Sequence, residues 1–524
     1  MPDRDNSAPG SRARPETAAL QLSAGIIPCR SASDGACEIY WVLRSEALRF
    51  LGGWHAFPGG RLSRHDSATQ VAGTPAGVDI YNASGPPAPH LACALRELFE
   101  ETGILATSGT LPGLREVGRA RNQLLREDLD FGEWLRRHRL ELDASRLCFA
   151  GRWVTPPLSP IRYDATFFLL RWDRSEIIQP TVIPGELDSG EWIRADEALC
   201  RWEAGDALLG QPTLETIRVL ARHGPDGCDR LWRSQAHAPD APHPIEFRPG
   251  IRVIPLKTRT LPPATHTNAM LLGSSDLVLV DPGAPWAEDQ HRLAEIVISE
   301  ARRSGGRLRG IWLTHHHDDH VAGAAALQRQ FQVPLWAHAS TAAQLRDRGL
   351  CINRHFAGGE RLTLAGRPEL RIRIVHAPGH ASGHLCFFEE RTLTLLCGDM
   401  LSGFGTVVID PPDGSMVEYL ESLRKLAGLG AKVILPSHGT MMRDAPRVLD
   451  EAWQHRLRRE ERVFDAWLGG ERDPEAMLDA VYGDIDPRAR PLAARQILAH
   501  LERLAAVGRI STLPAPIKAG LGRG

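Results

Sequence analysis

Short apolar runs, each closed by polar or turn-forming residues, alternate along this chain with stretches of helical period. Near the N-terminus the runs at 24–28 and 38–44 predict two strands around a turn at 31–36. From 149 to 193 apolar runs alternate with Pro and Gly, as in an α/β domain. Within and after it, 191–193 predicts a strand, 195–199 the start of a helix, and 213–223 a further helix. The stretch 236–244 is rich in Pro and Ala without periodicity, which predicts a linker at 236–247. Beyond it, 251–255, 268–272, 276–280 and 309–314 predict strands, and 321–327 opens a helix. Stretch 416–426 predicts a helix with Tyr419, Leu423 and Leu426 on one face. The last part predicts helices at 452–468, 474–482 and 491–507, then a strand at 508–513. Residues 1–19, rich in Arg, Pro and Ser without an apolar segment, predict a disordered tail.

A chain of 524 residues is too long for one core and predicts about two to four domains. The formal charge of −2 excludes a global basic field for nucleic acid but leaves a local patch open. Nine cysteines, an odd number without C-x-x-C pairs, read as reduced thiols of a cytoplasmic protein. Cys397 reads as a packing residue. No apolar run of about eighteen residues exists, so no membrane span is expected.

The strongest chemical signal is at 314–320, where His315, His317, Asp319 and His320 form His-x-His-x-Asp-His on a strand-to-helix loop. Imidazole nitrogen and carboxylate oxygen suit zinc and similar borderline metals, and such density is hard to explain as packing. Downstream, His376, His380 and His384, then Asp399, then His438 each follow an apolar run. In order and spacing these motifs resemble the metallo-β-lactamase superfamily. The resemblance implies an αββα sandwich and two Zn²⁺ (or Mn²⁺/Fe²⁺) ions. It assigns one ion to His315, His317 and His380, the second to Asp319, His320 and His438, and makes Asp399 the bridge. Two such cations lower the pKa of a shared water, the expected nucleophile, and steady the attacking and leaving oxygens. Asp319 is the candidate catalytic residue. By the same resemblance Asp281 accepts a hydrogen bond from a ligand histidine; a strand-end Asp before Pro-Gly is also an ordinary turn. His316 and Asp318 fill variable positions, His384 is expected to support a ligand, and His376 to be structural.

A second signal lies at 96–104. On a helix, Glu97, Glu100 and Glu101 share one face, and three carboxylates there repel unless a cation or arginine sits among them. Hard oxygens suit Mg²⁺ or Mn²⁺ held with a diphosphate; a solvated acidic face is the alternative. With Phe57, Pro58, Gly59 and Gly60, the helix resembles the Nudix box of coenzyme A diphosphatase-like proteins. That resemblance implies a Nudix α/β/α domain at 20–235, with Glu97, Glu100 and Glu101 as metal ligands or base and Arg96 orienting a glutamate. Asp66 stands where the pattern has its early Glu, and an insertion separates it from the helix.

The stretches 398–426 and 436–439, and 455–460 on the helix after them, resemble the beta-lactamase-like protein 2 branch, whose members cut single-stranded RNA. Glyoxalase II-type thioester hydrolases share the metal motifs. Arg456, Arg458, Arg459 and Arg462 on one helix would suit a phosphate backbone, or pair with Glu460 and Glu461. The resulting expectation is an α/β multidomain hydrolase: the Nudix-like domain, a metallo-β-lactamase-like domain at 248–450 and a winged-helix-like domain at 451–524. Its substrate is a small molecule or RNA, with no membrane partner.

Overall fold

The computed structural model describes residues 20–48, 51–77, 88–156, 159, 161–173, 179–233 and 244–511. The chain divides into two compact units, Glu16–Pro249 and Gly250–Gly524. The tail 1–19 and most of the expected linker lie outside the described residues; Ile245–Arg248, at the linker's end, form a strand.

In the first unit the strands Leu187–Arg194, Cys37–Arg44, Leu20–Ser31, Arg162–Arg171 and Leu147–Val154 lie side by side. Leu20–Ser31 pairs parallel with Arg162–Arg171 and antiparallel with Cys37–Arg44. Adjacent residues face opposite sides, so Ile26 packs with the helix Ala88–Thr102 while Ile27 packs with Ala195–Ala204 and Gln211–His223. The sheet is thus covered on both faces.

The second unit holds two sheets. One runs Ile251–Lys257, His266–Leu272, Asp276–Val280, Arg307–Trp312, Leu335–His338, Arg354–Phe356; the other Arg361–Leu364, Leu370–His376, Leu385–Glu389, Thr394–Gly398, Val433–Pro436, Met442–Arg443. Trp312 of the first and Phe387 of the second meet at 5.3 Å between ring centres. Two hydrogen bonds tie loops across the sandwich: Leu385 N–H to Thr314 O at 2.8 Å and Asn268 N–H to Ser437 O at 2.7 Å. Each links a strand of one sheet to a segment that carries His or Asp from the other.

The helix expected at 474–482 is confined to Leu478–Tyr482, with 474–477 in turns, and three further expectations need correction. Cys148 and Cys228 form a disulfide, so the thiols are not all reduced; strand Leu147–Val154 and helix Cys228–Arg233 bring together residues 80 positions apart, which no local spacing announces. The helix expected from 452 begins at Ala445, because Pro446 in its first turn needs no N–H partner and the Asp444 carboxylate accepts from Arg447 N–H. Residues 508–511 are turn and bend rather than strand, and 512 onward lie outside the described residues. Among the described residues no helix is long and apolar enough to cross a membrane.

Candidate metal centre

Strand ends deliver the site. Asp276–Val280 ends in Asp281, Arg307–Trp312 runs into 315–320, Thr394–Gly398 ends at Asp399, and Val433–Pro436 is followed by His438. Two groups of ligand atoms converge: His315, His317, His380 and Asp399, and Asp319, His320 and His438, each within 4.8 Å. Asp399 faces both. Its Oδ2 lies 3.6 Å from His380 Nε2 and 3.4 Å from His438 Nε2, and its Oδ1 3.5 Å from His320 Nε2. Asp319 Oδ2 is 3.5 Å from His438 Nε2 and accepts from Thr267 Oγ1 at 3.1 Å.

The imidazoles are aimed by their outer nitrogens. His380 Nδ1 meets Val408 O at 2.6 Å, His438 Nδ1 meets His266 O at 3.0 Å, and His320 Nδ1 meets Asp281 Oδ2 at 2.9 Å. A proton held on Nδ1 leaves the Nε2 lone pair facing inward, the tautomer a metal needs. His317 points Nδ1 inward instead, 2.9 Å from His315 Nε2 and 3.0 Å from His380 Nε2. Asp281 is itself fixed by Thr314, which donates N–H at 2.8 Å and O–H at 2.6 Å. His384 Nε2 accepts from the Asp399 N–H at 3.0 Å, and Gly398 (φ +55°) sits where a Cβ would press on that nitrogen.

The donor set fits divalent ions. Ligand atoms around a tetrahedral zinc stand about 3.3 Å apart, close to the separations here. His320 Nε2 and Asp399 Oδ1 are buried without a hydrogen-bond partner, which costs free energy unless something charged satisfies them. Burial, reinforced by neighbouring imidazoles, pushes His315 and His317 well down; burial also lowers His380 and His384. Against burial, the carboxylates of Asp399, Asp319 and Asp281 hold His320 well up, and Asp399 raises His438. Against burial likewise, His438 and His320 hold Asp399 well below the usual carboxylate range.

The other named residues lie apart. His316 Nε2 is 3.9 Å from Asp413, Asp318 pairs with Arg348, and His376 contacts Ser382 O and stacks on His338. Val408 O, His266 O, Thr267 and Thr314 were not singled out from the sequence; a carbonyl carries no side-chain signature.

In the first unit Arg96 gathers the acidic residues. Its guanidinium forks onto Asp66 at 2.8 and 3.1 Å and reaches Glu97 at 2.8 Å and Glu100 at 3.0 Å. Asp66 is buried, so the residue standing for the early Glu is brought to the helix across the insertion, of which 78–87 lie outside the described residues. Glu101 turns away to accept Gly59 N–H at 2.9 Å. Glu97, Glu100 and Glu101 are not among the convergent ligand clusters of the described residues. Burial raises all three, Glu97 to about 7. One guanidinium thus serves three carboxyls, and Glu101 keeps its own backbone partner.

On the helix Ala445–Leu468 two of the four arginines, Arg456 and Arg459, turn inward, while Arg458 and Arg462 stay exposed. Arg456 is buried and donates to Val407 O and Gln496, while Arg459 donates to Val481 O and lies over Tyr482. Glu460 pairs with Arg503 and Glu461 with Arg509.

Comparison with known proteins places the metallo-beta-lactamase superfamily at residues 262–438 and the beta-lactamase associated winged helix domain at 474–515. An atrochrysone carboxyl ACP thioesterase of Aspergillus fumigatus is 26% identical over 219 residues, 41% of this chain and 64% of the relative, so the chain spans less than two thirds of that protein. A beta-lactamase-like protein 2 homolog of Drosophila melanogaster is 26% identical over 47% of this chain and 84% of the relative. A NUDIX hydrolase structure from Alicyclobacillus acidocaldarius is 27% identical, covering 40% of this chain and 94% of that one, at a TM-score of 0.36.

Proposed function

We propose that this chain, which carries a metallo-beta-lactamase superfamily domain followed by the associated winged helix, is a two-metal hydrolase of thioesters or esters. The observation that carries the reading is Asp399, one carboxylate facing both histidine groups, with a buried oxygen that stands 3.5 Å from His320 Nε2 and has no hydrogen-bond partner. His315, His317 and His380 would hold one divalent ion, zinc first (or Mn²⁺ or Fe²⁺), and Asp319, His320 and His438 the other. Bound there, such a pair supplies Lewis acidity to a polarised carbonyl and to a water. The chain's own part is orientation. Asp281, Val408 O and His266 O fix the imidazole tautomers, and Thr267 holds the Asp319 carboxylate.

Thioester is preferred to RNA on the likeness to an ACP thioesterase, and because Arg456 and Arg459, two of the four arginines on the helix, are engaged within the protein while Arg458 and Arg462 stay exposed. The RNA reading keeps one support, the likeness to beta-lactamase-like protein 2 homologs. The test offers metal-replete full-length protein an acyl-coenzyme A thioester and a labelled single-stranded RNA, beside Asp319→Ala. Thiol release by the wild type and not by the variant is expected, with RNA intact. RNA cleavage by the wild type alone would replace this reading by the ribonuclease one.

For the first unit the proposal is a Nudix-like diphosphate hydrolase taking Mg²⁺ or Mn²⁺ at Glu97, Glu100 and Glu101, with Glu97 as the catalytic base and Arg96 orienting it. Three carboxyls on one buried helix face beside Gly59 and Gly60, with a single guanidinium among them, support it. The sign of the charge gives a prediction. Glu97 in the fold titrates near 7, above its ordinary 4.5, so its contribution to stability is full below 4.5 and is lost as pH rises through 7. At pH 8 without divalent ions, Glu97→Gln should therefore stabilise this unit by roughly 1 to 3 kcal/mol in urea unfolding. Magnesium should stabilise the wild type and not the variant. A variant no more stable than wild type at pH 8, or one that still responds to magnesium, would count against the site. A cytoplasmic location is also proposed, on seven cysteines outside any disulfide against the single Cys148–Cys228 bond.

A further inference from the structure

We propose that the two helices after the hydrolase fold are part of the metal centre's support, and that Arg456 and Gln496 are positioning residues for His380 and Asp399. The inference rests on the reading of those two residues as metal ligands. The loop 399–415 begins at Asp399 and passes Val408, whose carbonyl aims His380. The carbonyls on either side of Val408 are both held from the C-terminal helices. Arg456 on Ala445–Leu468 donates to Val407 O at 2.6 Å, and Gln496 on Arg490–Ala506 donates to Ile409 O at 3.1 Å. The two side chains are joined, since Arg456 Nη1 donates to Gln496 Oε1 at 3.0 Å. Arg495 next to it reaches Asp410 and Pro411 O.

A second arm leads to Asp399. The Arg456 guanidinium lies 5.1 Å from the centre of the Tyr419 ring, whose O–H donates to Met400 O at 2.7 Å, the residue after Asp399. Arg456 is 4% exposed, Gln496 7% and Tyr419 2%. A guanidinium removed from water is costly unless each donor finds a partner. Packing these helices on the sandwich would need only apolar residues, and such residues already line the same interface. The buried polar chain therefore adds something packing does not, a fixed position for the peptide 407–409. Loss of a direct outer partner of a ligand, the place Val408 O holds for His380, costs about 10- to 100-fold in metal affinity, and Arg456 and Gln496 act one step further out, by holding the peptide that carries that carbonyl.

The test uses full-length protein and four variants. Gln496→Glu keeps an acceptor for Arg456, now charged, and replaces the donor to Ile409 O by an oxygen that only accepts. Arg456→Lys keeps the charge and loses the fork, and Arg456→Met removes both. Arg458→Met, exposed on the same helix, is the control. Zinc affinity by chelator competition and the visible spectrum of cobalt-substituted protein are read beside the melting temperature. Expected are a loss of up to about 10-fold in affinity, the lower end for a direct partner, and an altered cobalt spectrum for Gln496→Glu and Arg456→Met. Arg456→Lys should fall between them and wild type, and the control should match wild type. Folded Gln496→Glu with wild-type affinity and spectrum would overturn the proposal, even if Arg456→Met fails to fold. A wild type that binds no metal would instead remove the ligand assignment, and the proposal with it.

Discussion

Asp399→Asn should lower kcat/KM at the hydrolase site by about 10³-fold, more than the loss of an outer partner of a ligand. The substitution keeps shape and removes charge. In the native site one oxygen of Asp399 stands against His380 and His438 and the other against His320. An amide supplies one acceptor for these three nitrogens, and its NH₂ points donors where lone pairs are needed. Because the same carboxylate serves both histidine groups, its loss disturbs both together, whereas Asp319 belongs to one group. The measurement is kcat/KM with metal content on the same preparation. Activity within tenfold of wild type, at two bound ions, would show that Asp399 does not bridge. The fold should survive, since the residue's remaining tie is its backbone N–H to His384.

Protein stripped of divalent ions should be most stable near pH 6.5 and lose stability on both sides. On the acid side the operative groups are His315, His317, His380 and His384, kept neutral first of all by burial. Their folded values lie below the ordinary 6.5, so the unfolded chain takes up protons first as pH falls. Each contributes stability that is present above 6.5 and lost below it, at up to about 1.4 kcal/mol per pH unit. His320 and His438 have the opposite sign. Their folded values lie above 6.5, so their contribution is full below that point and is lost as pH rises through the raised value. Asp399 is held low, so its contribution persists until well below 3.8. Within the metal centre four groups act on the acid limb and two on the alkaline limb, and the lowered His316, His338, His455 and His500 of the same unit add to the acid side, so the acid limb should be the steeper. Urea midpoints from about pH 5 to 8.5 in chelator would reveal this, and zinc should flatten the alkaline limb by replacing the two protons. A level profile in chelator would mean that the imidazoles are not held as described.

Residue type and local period carried much of this protein. The helix Met416–Ala427 buries Tyr419, Leu423 and Leu426 together, as its spacing indicates, because helical periodicity is a property of adjacent turns. His315, His317, Asp319 and His320 were legible as a group because they lie within six positions. Their convergence with His380, Asp399 and His438 was readable only through the resemblance of motif order. What tertiary structure decided is which atoms face which. The choice of Nε2 in His380 and His438 is made by carbonyls of Val408 and His266, and every residue has a carbonyl. The fate of Arg456 was decided by Gln496 and Val407, each more than 35 positions away, so a side chain that read as a surface cation became a buried strut. The same holds for Cys148 with Cys228 and for Asp66 with Arg96. Partners far apart in the chain leave no local period, and only closing the fold brings their atoms within reach.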